Sequence, residues 1–503
     1  TTGSASHGVD VTADTMLNLS NAGSVSVSGT GSNAINVTGT ASTTINITNA
    51  SGATIESTAV DGQGLVINST AASTSTITND GTITGGALSI ASGDGNENVT
   101  NTGMLNGTAD LGNGTNSFTN SNTLNGDLIT GTGSDTISND GMITGSVLAG
   151  AGNNVITNDG SVGVDVITTS GNDMVSGSGS IGGNVDVGEG TNSVNLLVGS
   201  SVGGSVTAGS GADMISNAGD ITLGVSAGDG DNDITNSGTV GGSVTAGIGN
   251  DTVDNTGAIG GDLNIGEGDN TVTLAGASNI DGSIITGAGD DSITGVSVVG
   301  GDVMAGAGNN TISFGTGSNV TGNITTAAGP GMDSLTNNGF VGGSVDLGDG
   351  TNTIDLNGQS NIIGNVTTGS GTDTISNDGS IGGTLAAGDG VNTITLTSTS
   401  NVGVDVTSGS GNDTISNDGV IGRDLLAGAG DNVITSTNSI GGTITVGDGD
   451  DLITNSGTVG SDINAGNGTN TITLTTNSDV GGDVTAGTGS DTISNDGMIT
   501  GSV

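Results

Sequence analysis

Carboxylate and amide side chains recur at one position of this chain, directly before a Thr-Ile pair or its equivalent. From Glu97 onward, that position alternates between an acid and an asparagine through 21 copies without exception. Oxygens of both kinds can ligate a cation, but only the acids bring charge to neutralise it. The candidate metal ligands are therefore Asp135, Asp173, Asp213, Asp251, Asp291, Asp333, Asp373, Asp413, Asp451 and Asp491.

A glycine-rich segment leads into each of these residues, and the stretches Gly131–Ile137, Gly287–Ile293 and Gly447–Ile453 are representative. They resemble the hemolysin-type (RTX) calcium-binding repeat, G-G-x-G-x-D-x-U-x, where U is a large apolar residue. The resemblance implies that Ca²⁺ lies between stacked turns, held by the Asp carboxylate and by glycine carbonyls. Ca²⁺ is therefore the expected cofactor. This sequence departs from the family pattern in placing Asn at half of the Asp positions and in alternating each such turn with an Asn-x-Gly turn.

Spacing of charge is a second explanation for the alternation. Carboxylates stacked in every coil would lie ~4.8 Å apart. At an effective dielectric constant of about 20 they would repel by about 3.5 kcal/mol, and placing them in every second coil halves this value. Metal binding and charge spacing both remain open at this point.

The intervals between these positions predict a regular coil. Each step from an acid to the next Asn spans 19 residues, and each step from Asn to the next acid spans 19, 21 or, once, 23. Insertions of two keep every strand side chain on its original face, whereas an insertion of one would invert them. Pro330 falls in the single longest step, where an irregular loop can accept it.

Within each interval, apolar residues alternate as strands require, and Gly and Asn-Asp-Gly clusters supply turns. Ile375, Ile381 and Leu385 show the pattern in one copy. The predicted fold is all-β, a parallel β-solenoid rod of about 25 coils. Each coil has 19–21 residues, in a two-coil super-repeat of about 39 residues, since the 394 residues from Glu97 to Asp491 hold ten pairs.

Two regions differ in regularity. Residues 91–503 carry the regular Gly/Asp/Asn-rich repeat, whereas residues 1–90 are predicted to form irregular N-terminal coils or a cap. The phrase Asn-x-Gly-x-Ile-x-Gly, as in Asn79–Gly85, also resembles the passenger repeats of bacterial autotransporters and large surface adhesins. That second resemblance implies an exported protein of the bacterial surface.

Composition excludes several classes of protein. The net charge of −49 argues against nucleic-acid binding, which needs a basic patch. No apolar run is long enough for a transmembrane helix, and the absence of Cys rules out disulfides and thiolate metal sites. High Gly and charge would suggest disorder, but a strict period overturns that interpretation. The chain starts at Thr1 with no Met and no signal peptide, which fits a processed, exported protein.

We expect no enzymatic activity. Solenoid polysaccharide lyases need a basic residue near the reacting carbon, and the chain offers only Arg423 and His7. Identical periodic sites are typical of scaffolds, whereas an active site usually interrupts a repeat. Further acids that point outward are expected to form a solvated face: Asp165, Asp262, Asp302, Asp405, Asp424, Asp462 and Asp483.

The sequence thus predicts an extracellular structural protein of the bacterial cell surface, stabilised or cross-bridged by calcium, in a filament, sheath, surface layer or adhesin stalk. Expected partners are other copies, joined end to end or laterally with cations, and surface or matrix polysaccharide. The alternative is a calcium-binding stalk or secretion module of a larger secreted adhesin or enzyme. A lower alternative is binding to ice or another crystal surface through Thr pairs such as Thr393 and Thr395.

Overall fold

The structure is a computed structural model that describes residues 6–40 and 42–503. The chain start, on which the expectation of export partly rests, lies outside the described residues. Contacts divide the protein into two compact units, which meet in sequence between Ile248 and Gly249. Each unit is an all-β parallel β-solenoid, as predicted. Turns of about 19 residues number about 22 in all, slightly fewer than the 25 or so expected, because the N-terminal coils are wider. Among the described residues, no helix is long and apolar enough to cross a membrane.

A coil of the second unit shows the repeating anatomy. It has a long strand, Thr374–Asn377, then a second strand, Ser380–Ile381, and a third, Leu385–Ala386. The long strand pairs in parallel with Thr393–Leu396 of the next coil, so that Ile375 lies beside Ile394. Glycine-containing corners separate the strands, and the corner before each long strand is the G-x-G turn.

The long strands carry the candidate site at their N-terminal ends. In the first unit they are Met16–Asn21, Thr44–Asn49, Thr74–Asn79, Asn96–Asn101, Ser117–Asn120, Thr136–Asn139, Val155–Asn158, Met174–Gly177, Ser193–Leu196, Met214–Asn217 and Asp233–Asn236. In the second unit they are Thr252–Asn255, Thr271–Leu274, Ser292–Gly295, Thr311–Phe314, Ser334–Asn337, Thr353–Leu356, Thr374–Asn377, Thr393–Leu396, Thr414–Asn417, Val433–Ser436, Leu452–Asn455, Thr471–Leu474 and Thr492–Asn495.

The second and third strands follow at fixed offsets. In the shorter coils they begin six and eleven residues after the long strand begins, as Val420–Ile421 and Leu425–Gly428 do after Thr414. In the coils enlarged by two, the offsets are eight and thirteen, as in Asn401–Val402 and Val406–Thr407 after Thr393. The two extra residues therefore lie at the corner after the long strand.

The N-terminal coils are wider. Val9–Ala13 pairs with Ile35–Gly39, and Ser24–Val27 pairs with Thr54–Ser57, at separations of 26 and 30 residues. The separation falls to 19 residues where Asn101 pairs with Asn120. Whether residues 1–90 act as a cap stays a prediction.

Each regular coil buries a thin apolar stripe. Ile375, Ile381, Leu385 and Ala387 are each at most 1% exposed. A buried Ile or Leu contributes roughly 1.5–3 kcal/mol, so no single coil has a core large enough to fold alone. Stability has to accumulate over neighbouring coils, as in other solenoids.

Candidate functional site

The alternating acids and amides form a buried row inside each unit. Each member lies two residues before an inward-facing apolar residue, as Asp373 does before Ile375, and strand alternation therefore points both side chains inward. From Glu97 to Asn232 in the first unit, and from Asp251 to Asn470 in the second, every member is at most 3% exposed. Asp491 is half-buried. The ten predicted ligands thus share one kind of position, two coils apart, rather than one cluster.

Hydrogen bonds connect consecutive members of the row through their Oδ1 atoms. The backbone N–H of Asn392 donates to Asp413 Oδ1 at 2.8 Å, and the N–H of Asp413 donates to Asn432 Oδ1 at 3.1 Å. The N–H of Asn432 then donates to Asp451 Oδ1 at 2.8 Å. Asp and Asn use Oδ1 in the same way, so only the second terminal atom of the side chain distinguishes the two residue types.

In the Asn coils that second atom, Nδ2, is satisfied by the G-x-G turn. Asn432 Nδ2 donates to the carbonyls of Gly428 and Gly430 at 3.4 and 2.8 Å. Asn270 Nδ2 donates to the equivalent carbonyls two and four residues earlier, at 2.9 and 3.2 Å. The turn therefore aims carbonyl oxygens at this point, and the amide supplies the protons that they accept.

In the Asp coils an oxygen, Oδ2, replaces that nitrogen. At Asp413 the turn has the conformation of the preceding Asn coil: Gly409 and Gly411 have φ of 68° and 137°, against 70° and 133° for Gly388 and Gly390. In the coils of Asp213, Asp291, Asp373 and Asp451 only the second glycine of the turn has a positive φ. Among the described residues, a buried Oδ2 without a hydrogen-bond partner occurs in Asp135, Asp173, Asp213, Asp291, Asp373, Asp413 and Asp451.

Glycine is required at this turn by close stacking as well as by φ. A Cβ at Gly411 would lie 1.7 Å from the carbonyl oxygen of Gly390 in the neighbouring coil. No side chain fits there, and the positive φ of Gly411 is also unfavourable for other residues. The coils therefore approach closely enough to bring their turn carbonyls together.

Burial sets the electrostatics of the row. Desolvation raises the pKa of Asp291 to about 6, and it also raises the pKa values of Glu97, Asp135, Asp213, Asp373, Asp413 and Asp451. Hydrogen bonds from neighbouring Thr and Ser hydroxyls and from the Asn coils lower these pKa values but are the smaller effect. An ionised carboxylate in this row therefore needs a positive partner, which a proton or a cation can provide.

The donor set fits Ca²⁺. A carboxylate oxygen with no partner, facing the carbonyls of a glycine turn, offers the hard oxygen ligands that Ca²⁺ prefers. Among the described residues no group of three or more His, Cys, Asp or Glu side chains is placed to hold a metal ion. Each position would accordingly use one carboxylate, with the other ligands drawn from carbonyls, hydroxyls or water.

The outward acids have a structural task besides facing solvent. The N–H of Asp424 donates to Asp405 Oδ1 at 3.1 Å, and the N–H of Thr443 donates to Asp424 Oδ1 at 2.8 Å. Asp165, Asp262, Asp302, Asp462 and Asp483 accept the N–H of the next coil in the same way. The exposed Arg423 side chain lies at this corner, with Nε 3.8 Å from Asp405 Oδ1 and Nη2 3.9 Å from Asp424 Oδ2, so it pairs with two outward acids.

A second buried polar row, which the sequence analysis missed, lies in the first unit at the C-terminal ends of the long strands from Asn79 to Asn158. Asn79 Nδ2 donates to Asn101 Oδ1 at 2.7 Å, and the links from Asn101 to Asn120 and from Asn120 to Asn139 are both 2.8 Å. We call this the amide ladder. The recurring Asn that closes T-I-x-N is the sequence signal for this row, and it is obscured because Asn-Asp-Gly also matches a turn.

Comparisons with known proteins give one similar structure. No family model and no curated protein matches the sequence. The chain is similar to a hyperactive, Ca²⁺-dependent, β-helical antifreeze protein from an Antarctic bacterium, known from its X-ray crystal structure. The sequences are 21% identical, the match covers 61% of this chain and 80% of that chain, and the TM-score is 0.27. At these values the similarity carries no argument about ligand or role.

Proposed function

We propose that this protein is a non-enzymatic, extracellular structural β-solenoid whose buried aspartates bind Ca²⁺. One observation supports this above all others. The Asp and Asn coils share the Oδ1 hydrogen bond and, at Asp413, the turn conformation, yet in seven Asp coils the second carboxylate oxygen is buried beside the G-x-G turn without a hydrogen-bond partner.

Bound Ca²⁺ would supply the positive charge that these carboxylates lack. The chain's own contribution is positional: backbone N–H groups hold Oδ1, and the glycine turns hold the carbonyls. Because the row is buried, ion binding and folding are coupled, and removing the ion leaves uncompensated negative charge inside the coil. This coupling suits a protein that folds where calcium is abundant, which agrees with a bacterial cell-surface location.

The exterior suggests how such solenoids associate. With 50 acids and one basic Lys or Arg residue, copies repel one another unless cations screen or bridge them. We expect end-to-end or lateral association to depend on divalent cations, within a filament, sheath, surface layer or adhesin stalk. Surface or matrix polysaccharide is a further expected partner.

The test is thermal unfolding in excess calcium and in chelator, monitored by far-UV circular dichroism. Wild type should melt at a clearly lower temperature in chelator, since a ligand that binds only the folded state raises its stability. A variant with Asp373→Asn, Asp413→Asn and Asp451→Asn supplies the matched comparison, because Asn already occupies alternate positions of the row.

In that variant Nδ2 can donate to the turn carbonyls, as Asn432 does. We expect it to melt higher than wild type in chelator and to gain less from calcium. Coinciding wild-type melts in calcium and chelator would overturn the proposal and leave charge spacing as the reason for the alternation.

A second candidate, binding to ice or another crystalline surface, has support from the second unit. The outward first and third positions of its long strands are all Thr or Ser except at Asp254, Asp355, Val433 and Leu452. In-register pairing sets these hydroxyls in two parallel columns. Replacing Thr393 and Thr395 by Lys should abolish ice-recrystallisation inhibition if this candidate is correct, while Ser380→Lys on another face should not. Wild-type protein without such inhibition would exclude ice as the target.

A further inference from the structure

Hydroxyl side chains accompany six of the ten aspartates of the row and none of its asparagines. Five residues before the Asp, or seven in the enlarged coil, the chain has Thr130, Thr168, Thr286, Thr326, Thr368 or Ser408. At the same position before each Asn the residue is always apolar: Leu111, Ala149, Val187, Ala227, Ile265, Ala305, Leu347, Ala387, Ala427 and Ala465. The turn itself does not require a hydroxyl, because all ten Asn coils form it without one.

These hydroxyls lie inside the coil. All except half-buried Thr326 are at most 3% exposed. Each donates to a backbone carbonyl of the next coil; Thr368 donates to Ala387 O at 3.0 Å and Ser408 to Ala427 O at 3.1 Å. Those hydroxyls are also near enough to their carboxylates to act against the dominant desolvation that raises the pKa of Asp373 and Asp413.

A hydroxyl has one proton, and here two oxygens compete for it. Thr326 Oγ1 lies 2.7 Å from Leu347 O and 2.8 Å from Asp333 Oδ2. When the proton goes to the carbonyl, the hydroxyl oxygen can only accept or ligate. The hydroxyl, the carboxylate and the turn carbonyls then form an all-oxygen group with no proton to share among them.

We propose that these six hydroxyls are calcium ligands, and that they divide the row into two classes of site. The hydroxyl class comprises Asp135, Asp173, Asp291, Asp333, Asp373 and Asp413. The plain class includes Asp213 and Asp451, where Ala208 and Val446 occupy the hydroxyl position. This inference rests on the proposed function and adds that the hydroxyl class binds Ca²⁺ more tightly, because one protein oxygen replaces a water.

The experiment is a titration of the chelator-treated full chain with Ca²⁺, monitored by isothermal titration calorimetry. Wild type should show a tight phase of about six ions followed by a weaker phase. Replacing the five threonines by Val and Ser408 by Ala should weaken the tight phase by roughly tenfold or more. A variant with the five threonines replaced by Ser keeps every hydroxyl and should titrate like wild type.

Two smaller variants keep the test informative if the sixfold replacement does not fold. Thr368→Val with Ser408→Ala should move two ions from the tight to the weak phase, and Val446→Thr should move one ion the other way. Unchanged affinities in folded variants would overturn the two-class inference while leaving calcium binding intact. No calcium uptake by wild type would instead overturn the proposed function itself.

Discussion

Two corners of the same coil each bury a row of polar side chains. The hydrogen-bonding groups of these two rows find their partners in different ways. In the amide ladder of the first unit, Asn120 Nδ2 donates to Asn139 Oδ1 and lies within 3.2 Å of the carbonyls of Asn122 and Met142. At the G-x-G corner, alternate members are carboxylates, and Glu97 and seven of the aspartates keep a buried oxygen without a partner within the described residues.

The difference follows from the chemistry of the two groups. An amide carries both donors and acceptors, so a stack of amides can satisfy itself through protein atoms alone. An ionised carboxylate has only acceptors, and a stack of carboxylates and carbonyls needs protons or cations from outside. One corner should therefore stabilise the coil under all conditions, and the other should make its stability depend on the medium.

The largest expected effect comes from placing a carboxylate in the amide ladder. Asn120→Asp would set an oxygen against three acceptors in a fully buried position. Stability should fall by about 3–5 kcal/mol, the usual consequence of an unpaired buried charge. Urea unfolding should give this loss in calcium and in chelator alike.

The matched control is Asn154→Asp in the buried acid row, where calcium should recover much of the loss. Recovery of Asn120→Asp by calcium would contradict the distinction between the two corners.

A smaller but broader effect is expected from pH. Burial raises the pKa of Asp291 to about 6 in the folded state, and it raises the pKa values of Asp135, Asp213, Asp373, Asp413 and Asp451 in the same direction. A raised pKa means that the folded state holds its protons more tightly, so this stabilisation is present below the unfolded pKa of about 4 and is lost as pH rises through the folded value. In calcium-free buffer, the melting temperature should therefore fall between about pH 4 and pH 7.

Saturating calcium should flatten that profile, and so should the variant with Asp373→Asn, Asp413→Asn and Asp451→Asn. A calcium-free melting temperature that rises across this range would show that the row is not the dominant titrating element.

The smallest effect is expected on the outside of the coil. Asp405→Asn retains an Oδ1 that can accept the N–H of Asp424. Stability should change by no more than about 0.5 kcal/mol, equally with and without calcium, as is usual for surface substitutions. A calcium-dependent change in the denaturation midpoint would show that the outward acids also contribute to the calcium dependence of stability, which is attributed here to the buried row.

Much of the fold could be predicted from the sequence because solenoid geometry is periodic. The spacing of Asp373, Asn392 and Asp413 predicts the coil length. Because insertions come in twos, each strand side chain keeps its inward or outward orientation. The partnerless Oδ2 could not be predicted, because it depends on turn φ values that aim carbonyls inward. The proposed role of Thr368 could not be predicted either. Thr is common in strands because of its β-propensity, so the sequence gives no reason to single this residue out.

The most direct test of the central claim is a crystal structure grown in calcium, with anomalous difference density measured at long wavelength. The account predicts peaks beside Oδ2 of Asp373 and Asp413 and none beside Nδ2 of Asn392. Two observations together would contradict it: no anomalous peaks, and Asp413 Oδ2 at hydrogen-bonding distance from a turn carbonyl oxygen. A proton would then lie between these two oxygens, at the position proposed for calcium.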